Sequence, residues 1–277
     1  ISRSADASLY QNKPTPRTPE QDAAFKRALA GMSMWYCHTL TTVFVVRGQD
    51  EHLFKPRSER GWPTYEEKMA TIFKVPPPSS LFSLEGVRHK VLAWSKVVEV
   101  GGKAKGRQTQ RPPMAPSAFA TLLESLAFTN GSDREVVGGL YKQTMEDGFG
   151  GLTELRYQDV GWGDAEAAQL AATLREVPSA GVVTLDLSSN EELKSAEALA
   201  DMLVELPGLT SLDLSECGIT SLPEAIGEMK GLRSLSLWSC RSLSSMPDLS
   251  GLPQLEVKGL PDCLEPWEEG GRKAYNL

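Results

Sequence analysis

The sequence predicts an α/β protein in two parts, a front α/β domain over residues 1–148 and about five stacked strand-and-return units over 149–277. Three observations carry this. The stretch LTSLDLSECGITSLPEAIGEMKGLRSLSLWSC at 209–240 repeats one line, with Leu209, Leu212, Leu214 and Cys217 recurring 23 residues on as Leu232, Leu235, Leu237 and Cys240. Ahead of it, a helical pattern, a β-branched run and a second helical pattern succeed one another, the order of an α/β sheet with parallel strands. Charge divides the chain at the same place: residues 1–145 hold 20 Lys and Arg against 13 Asp and Glu, and residues 146–277 hold 9 against 23. A basic front and an acidic back can attract each other or recruit different partners.

The front elements follow in order. TPEQDAAFKRALAGMSMWY sets Thr18 as N-cap and Pro19 at the first helical position, with Ala24, Phe25, Leu29, Met32 and Tyr36 on one face, so a helix is predicted over about 19–36. TTVFVV at 41–46 is a run suited to a buried parallel strand. In RGWPTYEEKMATIFK, Pro63, Glu66 and Glu67 open a second helix. Residues 101–117, GGKAKGRQTQRPPMAPS, hold Lys103, Lys105, Arg107 and Arg111 with no acid, and are expected to form a flexible loop. No aromatic is interleaved there to stack bases, so nucleic acid is not expected as a partner. APSAFATLLESLAF reads as a helix, and TNGSD leads into another that starts at Ser132 or Asp133. The boundary falls near DGFGG, at 145–151.

The blocks YQNKPTPRTPE, MSMWYCHTLTTVFVV, RGWPTYEE and FTNGSDREVVGGLY, spanning roughly 10–141, together resemble an α/β domain of algal and other protist proteins that often stands beside leucine-rich repeats. A buried strand, a loop and then Trp62 with Glu66 four residues on also resembles the segment of TIR-type domains that enters their Trp-and-Glu helix. That resemblance implies Glu66 as the catalytic residue of an NAD-cleaving reaction and Trp62 as a wall of the pocket. The motif departs from the family at Pro63, where TIR domains often have Cys, and the family's first strand and loop have no counterpart after Ile1. The front domain is therefore expected to be truncated and not a competent enzyme. The residues by themselves favour another reading, in which Trp62 is a core anchor and Glu66 favours the positive end of a helix.

The frame L-x-x-L-x-L-x-x-C resembles the leucine-rich repeat, in which each unit supplies one short strand and a return segment. Leu152, Leu155 and Tyr157 start the series, followed by Val182, Leu185, Leu187 and Asn190, the doubled line, and Leu252, Leu255 and Val257. Leu155, Leu185, Leu212, Leu235 and Leu255 step by 30, 27, 23 and 20 residues, so the return segments shorten. The first two, with Asp164 and Ser195 as N-caps, should be helices; the third and fourth allow little more than a turn. Cys217 and Cys240 should be buried thiols bonded to the neighbouring backbone. Leu264 and Trp267 are expected to cap the last unit.

With leucines inward, alternation turns the intervening residues onto one outer face. Three columns result: Glu154, Thr184, Ser211, Ser234 and Gln254; Arg156, Asp186, Asp213, Ser236 and Glu256; Gln158, Ser188, Ser215, Trp238 and Lys258. The acidic middle column, the small serines and Trp238 suit a basic or extended protein segment. Arg156, Asp186, Asp213, Ser215, Ser236, Trp238 and Glu256 are the candidate binding residues.

Other chemistry is not indicated. The four cysteines make no C-x-x-C, only three histidines stand with them, and no metal or cofactor is expected. There is no phosphate loop, no G-x-S-x-G and no H-E-x-x-H. No run of 18 apolar residues suggests a membrane span. The function expected is an intracellular, cytoplasmic interaction protein with a signalling or assembly front domain. An NAD- or nucleotide-processing enzyme regulated by the repeats is the alternative, and a purely structural fragment the third reading.

Overall fold

The computed structural model describes residues 18–37, 41, 43–46, 56–72, 97–100 and 111–260. The front begins with helix α1, Pro19–Cys37. Thr18 caps it as the sequence predicts, and Gln21 makes the cap reciprocal: Gln21 N–H donates to Thr18 Oγ1 at 3.3 Å and Thr18 N–H to Gln21 Oε1 at 3.0 Å. Strand β1, Val43–Val46, pairs in parallel with β2, Val97–Val100, and helix α2, Gly61–Ile72, lies between them in sequence. Parallel pairing is what the β-branched run predicts; β2 is an addition to the sequence reading. Helices α3, Pro116–Ser125, and α4, Asp133–Gly150, complete the front, with Ser132 as the α4 cap residue.

These helices pack through aromatic side chains. The Phe119 and Tyr141 rings stack at 3.9 Å, Tyr65 tilts against Phe119 at 6.5 Å, and Trp62 meets Tyr65 edge-on at 5.9 Å. Such pairs add about 1 kcal/mol each beyond the area they bury. The Cys37 thiol donates to the Met69 carbonyl and ties α1 to α2.

The expected flexible loop over 101–117 is corrected at its second half; residues 101–110 lie outside the described residues. Pro112, Pro113, Ala115 and Pro116 are buried. Gln169 Nε2 donates to the carbonyls of Pro112 and Pro113 at 3.0 and 3.1 Å, Thr173 Oγ1 to Pro113 at 2.9 Å, and the Tyr141 hydroxyl to Met114 at 2.8 Å. Proline has no N–H to desolvate, so a proline-rich segment can be buried once its carbonyls find donors. Composition alone shows the prolines but not the donors waiting 57 residues away.

The second part is a parallel sheet of five three-residue strands whose spatial order follows the sequence: β3 Glu154–Arg156, β4 Thr184–Asp186, β5 Ser211–Asp213, β6 Ser234–Ser236 and β7 Glu256–Lys258. Leu155, Leu185, Leu212, Leu235 and Val257 are in register at the centre, all buried. The last register corrects the sequence reading, which sets Leu255 against Leu235. Glu256 N–H instead donates to the Arg233 carbonyl, and Glu256 stands opposite Ser234. A slip of two residues leaves Leu255 and Val257 inward either way, so hydrophobic alternation cannot distinguish the two pairings.

Past each strand the chain turns through a left-handed residue: Asp159, Ser189, Glu216 and Ser239, with φ of 55 to 59°. In the last unit the slip brings the equivalent turn, Gly259 at φ 68°, against Trp238. A Cβ there would lie 2.6 Å from the Trp238 Cα, so glycine is required for space as well as for conformation.

The returns thin along the chain as the spacing predicts. Helix α5, Asp164–Leu174, and α6, Ala196–Leu203, back the first two units, a 3₁₀ turn at Glu224–Glu228 backs the third, and the fourth has no helix among the described residues. Ser195 caps α6 as predicted, accepting from Ala198 N–H at 3.2 Å. Asp164 does not cap α5, whose cap residue is Gly163 with Glu166 accepting its N–H. Asp164 Oδ1 accepts from the N–H groups of Lys194 and Ser195, both at 2.8 Å, and so fastens the start of α6 to the previous unit.

One apolar core runs from Cys37 through the front helices to Val257. Where α3 meets α5, Glu176 accepts from the Ser117 N–H at 2.8 Å and from its hydroxyl, satisfying the first turn of α3. The expected capping residues Leu264 and Trp267 lie outside the described residues.

Candidate functional site

The face is held in shape by a ladder behind it, at the position after each left-handed residue. Val160, Asn190, Cys217 and Cys240 occupy this position, all buried. Asn190 Nδ2 donates to the Tyr157 and Leu187 carbonyls at 2.8 and 2.7 Å, and its Oδ1 accepts from Trp162 N–H at 2.9 Å. Cys217 Sγ donates to the Leu187 carbonyl at 3.2 Å and Cys240 Sγ to that of Leu214 at 3.0 Å. The two thiols are thus the buried backbone donors that the repeat predicts.

Burial pushes the Cys217 thiol up to about 12, against a backbone hydrogen bond that opposes the shift, and raises Cys240 in the same direction. A thiol whose folded pKa lies above its unfolded value stabilises the fold fully below the unfolded pKa of about 9 and loses that contribution as pH rises toward 12. Stability is expected to be level from pH 7 to 8 and to fall from pH 9 upward, measured as urea midpoints across that range. A Cys217→Ala, Cys240→Ala variant should show a shallower decline, and an identical decline would remove the thiols as its cause. Desolvation of Tyr157, which raises its phenol as well, acts in the same sense at higher pH.

On the outer face the corrected register changes the charge pattern. The first column is Glu154, Thr184, Ser211, Ser234 and Glu256; the middle column is Arg156, Asp186, Asp213, Ser236 and Lys258. Each end is closed by an ion pair within its own strand, Arg156 with Glu154 at 2.7 Å and Lys258 with Glu256 at 3.3 Å. The acidic row therefore contracts to Asp186 and Asp213, on adjacent strands.

Both aspartates are positioned by the turn that follows them. Asp186 Oδ1 accepts from the Ser188 N–H at 3.0 Å and hydroxyl at 2.7 Å; Asp213 Oδ1 accepts from the Ser215 N–H at 2.9 Å and hydroxyl at 2.6 Å. Local side-chain-to-backbone bonds of this kind fix the carboxylates without neutralising them. Neither aspartate has an ion pair among the described residues. Ser215 and Ser236 share a hydrogen bond at 2.8 Å, linking β5 to β6 beside them. Trp238 stands next to this pair with 60 % of its surface exposed, the largest side chain on the face.

Of the candidate binding residues, the structure brings Asp186, Asp213, Ser215, Ser236 and Trp238 together at the centre and places Arg156 and Glu256 at opposite ends. Gln158, at the level of Ser188 on the first unit, is buried to 9 % exposure, and among the described residues its amide has no hydrogen-bond partner. Its burial is not visible from sequence spacing.

Glu66 lies apart from this face, half-buried in the second turn of α2. Its companion Trp62 donates its indole N–H to Asp133 Oδ2 at 3.0 Å, joining α2 to the start of α4. Among the described residues no group of His, Cys, Asp and Glu is arranged to hold a metal ion. No described helix is long and apolar enough to cross a membrane.

Comparison with known proteins agrees with the frame that defines these strands. No curated protein matches the chain. A family model described as Leucine Rich Repeat matches residues 208–229, the segment from the entry of β5 through the 3₁₀ turn of the third return, so that stretch is a leucine-rich repeat.

Proposed function

We propose that this chain is an interaction protein whose five-stranded face, the outer surface of a short leucine-rich-repeat solenoid, binds another protein. Its front α/β part serves signalling or assembly, and the protein works in the cytoplasm. The observation that carries the reading is Trp238, exposed to 60 % beside a centre of the face otherwise built of serines, a threonine and two aspartates. A tryptophan left in water beside hydrogen-bonded serines and aspartates is the kind of anchor that carries most of the energy of a protein interface. The repeat match across β5 supports the same reading, since stacked repeats offer extended faces for partners.

This reading stands ahead of an NAD-cleaving one because Trp62 acts as an anchor between helices, its indole bonded to Asp133 of α4 while its ring packs on Tyr65 of its own helix. The test is affinity capture of partners from source-cell extract by the full chain and by Trp238→Ala. The variant should melt at the parental temperature and retain at least about tenfold less of a specific partner. Equal capture by both proteins argues against the face. Nicotinamide release from NAD that disappears in Glu66→Ala would replace the reading with the enzymatic one.

A further inference from the structure

The face has an uneven distribution of satisfied and unsatisfied groups. Arg156 and Lys258 are each matched by a glutamate on their own strand, so a long polybasic segment meets no uncompensated acid at either end. Asp186 and Asp213 carry the uncompensated charge, on strands about 4.8 Å apart. Like charges facing each other across paired strands are unfavourable, and the serine bonds hold both carboxylates in place against that repulsion. Gln158 adds an independent observation: a polar side chain more than nine-tenths buried, level with the same face, whose amide donors and acceptor are unpaired among the described residues. The amide end itself is not sealed from solvent, so it is open to a partner with both a donor and an acceptor, which a peptide backbone supplies.

We propose that the face takes an extended polypeptide crossing the strands, with one arginine lodged between Asp186 and Asp213 and an apolar or aromatic side chain two residues away on Trp238. The inference rests on the reading of this face as a protein-binding surface and names the partner's chemistry. A planar guanidinium presents donors on two edges and spans both carboxylates, whereas a lysine ammonium is a single point. Gln158 belongs to the first unit and Trp238 to the fourth, three strand spacings apart, or about 14 Å. Four extended residues at about 3.3 Å each cover that distance, and the arginine falls midway, about 7 Å from each end. The Gln158 amide then meets the backbone of the segment at the end opposite Trp238.

The test is to pan a displayed library of random twelve-residue peptides on the full chain and to measure the enriched sequences as synthetic peptides by calorimetry. The enriched set should share an arginine with an aromatic or aliphatic residue two positions away. Replacing that arginine by lysine should weaken binding about fivefold and by citrulline at least about tenfold. An Asp186→Asn, Asp213→Asn double variant keeps the oxygen that accepts from Ser188 and Ser215, and should melt normally while losing about tenfold in affinity. Gln158→Ala should lose about threefold. Peptides that lack arginine yet still need Trp238 overturn this inference and leave the protein-binding reading in place. A library from which no peptide depends on Trp238, Asp186 or Asp213 overturns both.

Discussion

Asn190→Ala is expected to lower the free energy of unfolding by about 4 kcal/mol, measured by urea denaturation followed by circular dichroism. The side chain is fully buried and serves three backbone groups: the carbonyls of Tyr157 and Leu187 and the N–H of Trp162. Alanine leaves the Tyr157 carbonyl and the Trp162 N–H without this partner and the Leu187 carbonyl with the Cys217 thiol alone, in an interior where water does not replace the amide, at about 1–3 kcal/mol for each group left unsatisfied. Tyr157 and Trp162, whose rings stack at 4.3 Å over this point, would also lose the bond that fixes their relation. Asn190→Cys should recover part of the loss, because Cys217 and Cys240 use the same position to donate to one carbonyl each. An alanine variant within about 1 kcal/mol of the parent would show that the ladder does not hold the first two units together.

Gly218→Ala has the second largest expected effect. Gly218 follows Cys217 in the turn out of β5, where an added Cβ would overlap the Glu191 carbonyl oxygen of the preceding unit and lie 3.1 Å from Lys194 Cγ. The lysine stem can swing aside, but the carbonyl belongs to the backbone and cannot move without shifting the whole turn. A loss of about 2–3 kcal/mol is expected, the usual range for forcing an extra methyl into a packed site. The same urea titration checks it, and a loss below about 0.5 kcal/mol would mean that the two units are not in the close contact seen here.

The parts legible from sequence were those in which one residue type answers one local need. Leu155, Leu185, Leu212 and Leu235 define their register because each leucine has no alternative but the core, and the 19–36 helix could be bounded because Thr18 and Pro19 act on their own neighbours. The pattern misleads where a residue acts across units. Asp164 has every local mark of an N-cap, yet its carboxylate serves Lys194 and Ser195 some 30 residues on. The slip at β7 is invisible to a pattern of period two, and with it Lys258 joined the middle column in place of Glu256. Alternation defines the candidate face as a set of columns, while its charge depends on pairings within Glu154–Arg156 and Glu256–Lys258 that alternation does not reveal. Pro112 and Pro113 read as loop because prolines often are, and their burial depends on Gln169 and Thr173 in a helix not yet formed when that segment is considered alone.

The strictly sequential strand order has a mechanical consequence. Among the described residues each strand of this sheet pairs only with its neighbours in the chain, so a pulling force on the end of β7 loads one short ladder at a time. The sheet would peel in steps, each releasing one unit of roughly 22 to 30 residues, or about 75–100 Å of extended chain. The peel would slow where α6 and α5 add their buried faces, and it would stop at the front helices, whose aromatic packing does not depend on the ladder. The molecule is thus built to yield from its thin end while its helical end keeps its shape.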